Sequence, residues 1–251
     1  KKTVPAMELF SALIKERAET GRIYIMNVDH CNTHSSFKDK VYMSNLCQEI
    51  TLPTKPLNHI DDEEGEIALC ILSAINVGTL RSLDDLEELC ELAVRALEEI
   101  IDYQRYPIKA AEISTKARRS LGVGYIGLAH YLARQHAKYE DGTAWQLVHD
   151  LSEAFQYYLL RASNKLAQER GACEYFSRTK YADGILPIDT YKKEVDTIVE
   201  NKLNYDWDSL RNDIKDHGLR HSTLSAQMPS ESSSVVSNAT NGIEPPRGYL
   251  S

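Results

Sequence analysis

The residue types best suited to chemistry lie close together near position 47. Asn45, Cys47 and Glu49 are separated by one residue each, so in an extended segment their side chains would point to the same face. An amide can hold a hydroxyl group, a carboxylate can take its proton, and a thiol can do redox or radical chemistry. The spacing alone still favours an ordinary strand with one polar face, in which Cys47 is filler.

Four other cysteines are scattered along the chain. Cys70 lies in an apolar run and, taken by itself, would be a core residue. Cys90 lies on the apolar face of a leucine-rich helix, which predicts a buried, inert thiol. The pattern assigns no role to Cys173. An odd, scattered set of five cysteines is not typical of a secreted disulfide framework, and it favours a cytoplasmic protein.

A serine-rich segment, Pro229-Ser-Glu-Ser-Ser-Ser234, follows a predicted strand and precedes a predicted helix start. The first turn of a helix has free backbone N–H groups and a positive dipole end, and such an end binds phosphate. The same residues could simply cap the helix. The two roles are compatible, so both stay open.

A glycine run, Gly122-Val-Gly-Tyr-Ile-Gly127, has the letters of the G-x-G-x-x-G dinucleotide fingerprint. The fingerprint requires a strand directly before the first glycine. Here the preceding residues, AAEISTKARRSL, are charged and favour a helix. We therefore expect these glycines to allow close packing of a helix rather than to bind a nucleotide.

No metal site is predicted. His30, Cys31 and His34 lack a second ligand pair nearby, and structural zinc needs about four ligands. His217 and His221 are four residues apart, but Gly218 lies between them and no HExxH motif is formed.

The composition limits the function classes. The chain has 251 residues, 42% hydrophobic and 26% charged, with a net charge of −8. Acidic charge argues against nucleic-acid binding, which needs an excess of Lys and Arg. The sequence contains no apolar run of about 18 residues that could span a membrane. The charged N-terminal segment does not resemble a signal peptide.

Hydrophobic periodicity predicts helices and strands that alternate, which indicates an α/β fold; a barrel and an open sheet fit equally well. Helices are expected at 5–20, from Ser82 to about Tyr103, at 108–138 with an interruption near Gly122–Gly127, at 144–170 and at 207–217. Strands are expected at 22–28, 44–52 (or an extended finger), 67–78 and 219–228.

Long motifs identify a family. Trp207-Asp-Ser-Leu210, then GLRHSTLSAQMP at 218–229 and PSESSSVVSNATNGIEPPRG at 229–248, resemble the large subunit of class I ribonucleotide reductases. The same resemblance holds for TGRIYIMNVDHCNTHSSF, SNLCQE, GEIALCILSAINVG and ARRSLGVGYIGLAHYLA. It covers essentially the whole chain.

The resemblance implies a fold and a set of roles. The fold would be part of a ten-stranded α/β barrel with a central finger loop whose tip is Asn45–Glu49. Cys47 would carry the thiyl radical that abstracts the ribose 3′-hydrogen, and Glu49 would take the proton of the 3′-hydroxyl. Asn45 would hold the ribose, and Cys70 would be one of two thiols that reduce the 2′ position.

The resemblance also implies that Glu231, Ser232 and Ser233 hold the substrate phosphates. The substrate would be a ribonucleoside diphosphate, and no cofactor would be bound in this chain. A separate metal-containing subunit would supply the radical, and a thioredoxin or glutaredoxin type reductant would restore the thiols. The full complex would be a homodimer that binds neither nucleic acid nor membrane.

The chain is shorter than the large subunits it resembles. Residues 1–251 are interpreted as a single partial domain, the C-terminal half of the catalytic barrel, without the N-terminal effector cone, the first barrel strands and the C-terminal tail. We expect the chain alone to be inactive and poorly stable. The alternative function is a non-catalytic complementing or scaffold fragment of the same complex.

Overall fold

The computed structural model describes residues 2–248. The predicted domain, 1–251, includes Lys1 and residues 249–251, which lie outside the described residues. The helices and strands, in chain order, are α1 (Ala6–Thr20), α2 (Val28–His34), β1 (Ile71–Asn76), α3 (Asp85–Tyr103), α4 (Lys109–Arg118), β2 (Leu121–Ile126), α5 (Leu128–Arg134), α6 (Trp145–Arg170), α7 (Pro187–Thr190), α8 (Trp207–His217) and α9 (Glu231–Val236). The predicted α/β class is confirmed.

The sheet consists of two parallel strands and a third short segment. β1 pairs with β2 from Ile71 opposite Leu121 to Asn76 opposite Ile126. Residues 223–226 extend the sheet beyond β2, where Val123 donates its N–H to the Leu224 carbonyl (2.8 Å) and accepts the N–H of Ala226 (3.1 Å). The helices between β1 and β2 form the crossover that parallel strands require. The ten-stranded barrel stays a prediction, since residues 2–248 contain only these paired strands.

One face of the sheet is covered by the long helices α3 and α6. Val123 and Tyr125 of β2 belong to the main hydrophobic core, together with Leu159 of α6. The rings of Tyr125 and Phe155 meet edge to face with centroids 5.2 Å apart. Cys90 on α3 is fully buried in this core, as predicted. The core therefore fixes the sheet from one side and leaves the other face for different contacts.

The helix predictions were largely correct, and the differences have local causes. α3 begins at Asp85, three residues after the predicted cap at Ser82, and acidic residues in its first turn favour the helix dipole. The predicted helical segment 108–138 is divided into α4, β2 and α5. Gly122 and Gly124 therefore lie in a buried strand and are crowded by neighbouring strand segments rather than by a helix, so their interpretation as helix-packing glycines was wrong. Gly127 follows the strand and directly precedes α5.

Two predicted strands do not form in the described part of the chain. Residues 22–27 have no strand partner and lead directly into α2, whose first residue is Val28. Residues 44–52 form a loop with a tight turn instead of a strand. Both segments carry the right apolar residues for strands, but a strand also needs a neighbour whose backbone groups can pair with it.

Arg119 organises a buried polar cluster behind the sheet. It follows the last residue of α4 in the left-handed conformation (φ 48°), which glycine usually adopts at the end of a helix. Its Nε donates to Glu98 Oε2 (2.7 Å), and its Nη2 donates to Asp102 Oδ2 (2.7 Å). Glu98 also accepts from Arg220 Nε (2.7 Å) and interacts with His221 Nε2 (3.0 Å). The cluster joins α3, the end of α4 and the start of the third strand segment.

Arg118 holds a second carboxylate cluster. Its Nε and Nη2 both donate to Glu66 Oε2 (2.8 and 2.7 Å), and its Nη2 also donates to Asp39 Oδ2 (2.9 Å). Arg178 adds ion pairs to the same two carboxylates, at 2.8 Å to Asp39 and 3.2 Å to Glu66. These contacts connect the loop segments on both sides of the predicted site to the end of α4.

None of the described helices combines the length and the apolar character needed to cross a membrane.

Replacing Glu98 by Gln should be strongly destabilising. The change leaves the buried Arg119 and the half-buried Arg220 without their shared carboxylate, so we expect the free energy of unfolding to fall by about 3–5 kcal/mol. Urea denaturation followed by fluorescence of the buried Trp207 measures it. The matched control is Glu99→Gln, which removes only an exposed carboxylate and should cost less than about 1 kcal/mol. Equal losses in the two variants would contradict the assignment.

The same cluster should make the fold sensitive to acid. Burial acts to raise the pKa of Glu98, but hydrogen bonds from His221, Arg119 and Arg220 outweigh it and hold that pKa well below its ordinary value. Burial lowers the pKa of His221, although its hydrogen bond to Glu98 acts in the opposite direction. In both cases the unfolded chain binds protons more readily than the folded chain, so falling pH destabilises the native state.

The free energy of unfolding should therefore decrease as the pH falls through 6.5, the ordinary pKa of histidine, and decrease further below 4.5, that of glutamate. Urea titrations at a series of pH values measure this dependence. Glu98→Gln should show a smaller decrease below pH 4.5, because the contribution of the Glu98 carboxylate is missing while other carboxylates with lowered pKa values, such as Asp189 and Glu91, remain. A stability that stays constant from about pH 7 to about pH 4 would disprove the prediction.

Candidate active site

The three closely spaced polar residues lie in one tight turn. Gln48 donates its N–H to the Asn45 carbonyl (3.2 Å), and Asn45 donates its own N–H to the Ile50 carbonyl (3.3 Å). The Asn45 side-chain oxygen accepts the N–H of Ile50 (3.3 Å), which closes the turn a second time. Gln48 has a φ of 61°, a left-handed conformation that reverses the chain. The segment is therefore a hydrogen-bonded tip, and the three residues do not alternate along a strand.

Cys47 lies at the end of this tip. Its side chain is exposed, as are those of Asn45 and Leu46, whereas Glu49 is half-buried. A thiol at this place can be reached by a molecule approaching the tip. The predicted trio is thus brought together within one turn, although by a different backbone conformation from the one that suggested it.

Apolar residues on the C-terminal side of the turn hold the tip against the protein. Ile50 and Leu52 are each only 7% exposed, and they belong to a small hydrophobic cluster with Phe37, Val41 and Ala226. Cys70 packs against the same cluster as a partly buried member. The loop is therefore seated on the sheet face opposite α3 and α6, next to Cys70.

Cys70 directly precedes β1, and its sulfur lies against the backbone of Gly122 in β2. Burial, and to a smaller extent the negative charge of Glu49, raises the pKa of the Cys70 thiol to about 12. Cys70 is thus held in the protonated form near neutral pH. The effect of Glu49 on this pKa indicates that its carboxylate lies near the Cys70 thiol.

Glu49 has one buried oxygen without a partner. Its Oε2 is inaccessible to solvent and accepts no hydrogen bond from any described residue. A buried carboxylate oxygen in this condition is costly, because it has lost water without gaining a donor. A hydroxyl group that entered the site could supply the missing hydrogen bond, and the carboxylate could then take its proton.

A cavity of about 360 Å³ lies beside the tip. Asn45 and Cys70 both line it, together with Ile50, Leu52 and Glu66. Glu231, Ser232 and Ser233 do not line this cavity. Cys47 and Glu49 do not line it either, although they belong to the adjoining turn, so of the predicted catalytic residues the cavity joins only Asn45 and Cys70.

Those phosphate-binding residues form the first turn of α9. Glu231, Ser232 and Ser233 are all exposed, and Ser230 precedes them as the cap. After α9 the chain returns to the end of β2, where the Gly127 N–H donates to the Thr240 carbonyl (2.9 Å). The start of α9 thus lies beyond the carboxyl edge of the sheet, the edge at which open α/β sheets bind ligands.

A larger cavity of about 920 Å³ lies elsewhere, between α6 and residues 187–203. Its lining is mainly apolar and aromatic, and it includes Trp145 and Trp207. None of the predicted site residues lines it. We therefore take the smaller cavity and the adjoining turn as the candidate active site, because Asn45 and Cys70 line the cavity and Cys47 and Glu49 belong to the turn.

The sequence pattern did not single out the charged residues that hold the loop in place. Arg118, Glu66 and Asp39 tie the chain before and after the tip to the end of α4. The two adjacent arginines directly before the glycine run are the only local signal for this role. Their carboxylate partners are distant in sequence and carry no pattern of their own.

All five cysteines lie in the described part of the chain, and none is in a disulfide. Residues 2–248 contain no group of three or more His, Cys, Asp or Glu side chains placed to hold a metal ion.

Comparison with known proteins gives a consistent family. Residues 1–251 match the family model described as "Ribonucleotide reductase, barrel domain". The chain is 63% identical to the ribonucleoside-diphosphate reductase subunit alpha of Haemophilus influenzae, with all of this chain and 34% of that protein aligned. It is 63% identical to the ribonucleoside-diphosphate reductase 1 subunit alpha of Escherichia coli K12 and 47% identical to the subunit alpha of Enterobacteria phage T4, covering 33% of each.

The chain thus spans about a third of the length of the curated relatives it matches. The family model, in contrast, covers the chain from its first residue to its last, and the chain therefore belongs to the ribonucleotide reductase barrel-domain family.

Proposed function

We propose that this chain is the catalytic segment of the large subunit of a class I ribonucleoside-diphosphate reductase. The reaction converts a ribonucleoside diphosphate to its 2′-deoxy form and oxidises a pair of cysteines. One observation carries the proposal: a single turn carries Asn45, Cys47 and Glu49, and the cavity beside it is lined by Asn45 and by Cys70, whose pKa is raised by burial and further by the Glu49 charge.

Cys47 is the residue that attacks the substrate. A ribose C–H bond is too strong for ordinary acid–base chemistry, so a radical must break it. As a thiyl radical, Cys47 takes the hydrogen atom from C3′ and later returns it, so that Cys47 is unchanged at the end. Its exposed position at the tip lets the sulfur approach the sugar directly.

Glu49 and Asn45 act on the sugar hydroxyls. The buried, unpartnered Oε2 of Glu49 accepts the 3′-hydroxyl hydrogen bond and then its proton, which helps the 2′-hydroxyl to leave as water. Asn45 uses its side-chain oxygen to close the turn, and this leaves its amide N–H₂ free to donate to the ribose.

Cys70 supplies reducing equivalents. Its thiol stays protonated because its pKa is raised to about 12, so it can give a proton to the departing 2′-hydroxyl. A second cysteine thiol, contributed from outside this chain, supplies the other hydrogen, and the two sulfurs form a disulfide. Exchange with an external dithiol of the thioredoxin or glutaredoxin type restores both thiols.

The substrate phosphates bind at the first turn of α9. The backbone N–H groups of that turn have no partners within the helix, and the hydroxyls of Ser232 and Ser233 are exposed. Glu231, at the same turn, completes the predicted set. This role is compatible with helix capping by the same segment.

The remaining parts of the proposal follow from the family. The sheet would be part of a ten-stranded barrel whose finger loop is the segment around Cys47, and residues 1–251 would be one partial domain. The radical would come from a separate metal-containing subunit. The complete enzyme would be a cytoplasmic homodimer that includes the effector-binding part of the large subunit.

Cys47→Ser should abolish reduction of cytidine diphosphate, because a serine hydroxyl does not form the required radical. The assay uses the full-length subunit with its radical-generating partner and a dithiol reductant. Cys31→Ser is the matched control, since Cys31 is a half-buried residue of α2 to which the proposed mechanism gives no role, and it should retain activity. Activity that survives Cys47→Ser would favour the scaffold alternative.

Cys70→Ser should separate two steps of the reaction. Hydrogen abstraction by Cys47 does not need Cys70, so tritium placed at C3′ should still be released into water. Formation of the deoxynucleotide should stop, because the reducing pair is incomplete. Measuring both products in the same sample tests the roles, and normal deoxynucleotide formation would remove Cys70 from the mechanism.

A further inference from the structure

The glycines of β2 have no part in the chemistry described so far. Side chains alternate along a strand, and Val123 and Tyr125 point into the core beneath α3 and α6. Gly122 and Gly124 therefore face the opposite side, where the loop carrying Cys47 is seated. Both glycines are buried although they have no side chain of their own, because other groups lie directly over them.

The space above Gly122 is taken by the Cys70 sulfur. A Cβ atom at Gly122 would lie 2.8 Å from Cys70 Sγ, 2.6 Å from Leu72 Cδ2 and 3.1 Å from Ala226 Cβ. The first two distances are shorter than real Cβ atoms tolerate. Any other residue at position 122 would compete with the sulfur for its present position.

Neighbouring groups restrict where the Cys70 sulfur can move. The backbone after Cys70 is fixed by the pairing of Ile71 with Leu121. Cys70 also packs against the hydrophobic cluster that contains Ile50 and Leu52 of the loop, and the Glu49 charge acts on its thiol. The thiol is thus held between the β2 backbone and the loop, and the missing side chain of Gly122 determines how deep it lies.

We propose that Gly122 is a positioning residue that sets the depth of the Cys70 thiol relative to the loop tip. The expected effect on turnover rests on the proposed function. The inference adds to that function by giving Gly122 the role of placing the reducing sulfur of Cys70. A Cβ at this position pushes the sulfur towards the cavity beside the tip and makes it more accessible.

Gly124 differs from Gly122 in the kind of contact it makes. A Cβ at Gly124 would lie 2.4 Å from the backbone oxygen of Ala226, an atom of the neighbouring strand segment. Relief would require the strands to separate, so Gly124→Ala should impair folding itself. Gly122 is crowded by side chains, which can move, and its substitution should therefore leave a folded protein with a displaced sulfur.

The test uses Gly122→Ala in the full-length subunit with its partner subunit. We expect kcat to fall on the order of 100-fold with little change in KM, because about 1 Å of displacement affects the reducing step more than substrate binding. The double variant Gly122→Ala/Leu72→Ala lacks the Leu72 carbon nearest to the new Cβ but keeps the clash with the Cys70 sulfur. It should therefore fold well, and its kcat should be lower than that of Leu72→Ala by the same factor. A kcat within about twofold of the reference in both comparisons would overturn the proposal.

A second readout does not depend on turnover. Alkylation of Cys70 by iodoacetamide, followed by mass spectrometry of the Cys70 peptide, reports on the thiol directly. Displacement towards the cavity should lower the raised pKa of Cys70. The thiolate fraction, and with it the labelling rate, should then increase about tenfold for each unit by which the pKa falls. Unchanged labelling in Gly122→Ala would show that the glycine does not position the sulfur, whatever the activity of the enzyme.

Thermal unfolding tests whether position 122 and the Cys70 sulfur interact directly. In a Cys70→Ala background the sulfur is absent, so adding Gly122→Ala should lower the Tm less than it does with Cys70 present. Equal Tm losses in the two backgrounds would contradict the proposal. If Cys47→Ser left turnover intact while labelling and the Tm cycle both responded, the proposed function would fail and the positioning role would stand.

Discussion

Two adjacent arginines at the end of α4 bind carboxylates that belong to different parts of the chain. Arg119 points backwards to Glu98 and Asp102 on α3, and Arg118 points to Asp39 and Glu66 in the loop region. The left-handed turn at Arg119 separates the two directions. Because β2 begins two residues later, the position of the strand that carries Gly122 depends on both clusters. Buried ion pairs add little net stability. Nη1 of Arg118 is buried without an acceptor, so the role of these pairs is to fix the arrangement of the chain rather than to stabilise it.

The site itself combines strong anchoring with an unsatisfied group. Ile50 and Leu52 hold the loop by burial, and the double closure by Asn45 fixes the turn. Against this rigid support, Glu49 keeps a buried oxygen without a donor. A folded protein retains such a costly feature only when the surrounding structure is stable enough to enforce it. In the proposed reaction the 3′-hydroxyl of the ribose supplies the missing donor.

Much of this arrangement could be predicted from the sequence. Periodicity identified α1, α3, α6 and α8, and long motifs identified the family. The strand Leu121–Ile126 was missed because glycine has low strand propensity, and only tertiary contact with Cys70 and Ala226 explains the use of Gly122 there. The turn at Asn45–Glu49 was missed because its geometry depends on one side-chain hydrogen bond and one left-handed residue, Gln48. The residues of the tip do lie in one turn, and their choice as site residues and their roles remain proposals.

The five thiols differ greatly in how easily a reagent can reach them. Cys47 is exposed, Cys31 and Cys70 are partly covered, and Cys90 and Cys173 are buried. Peroxide reacts with sulfur according to its access and its thiolate fraction, and the later oxidation products are irreversible. If access alone decides, Cys47 is the first thiol to be damaged in air, and the proposed reaction depends on Cys47. A preparation could then lose its activity while its fold and nearly all of its titratable thiols stayed intact, so a total thiol count would be a poor measure of its quality.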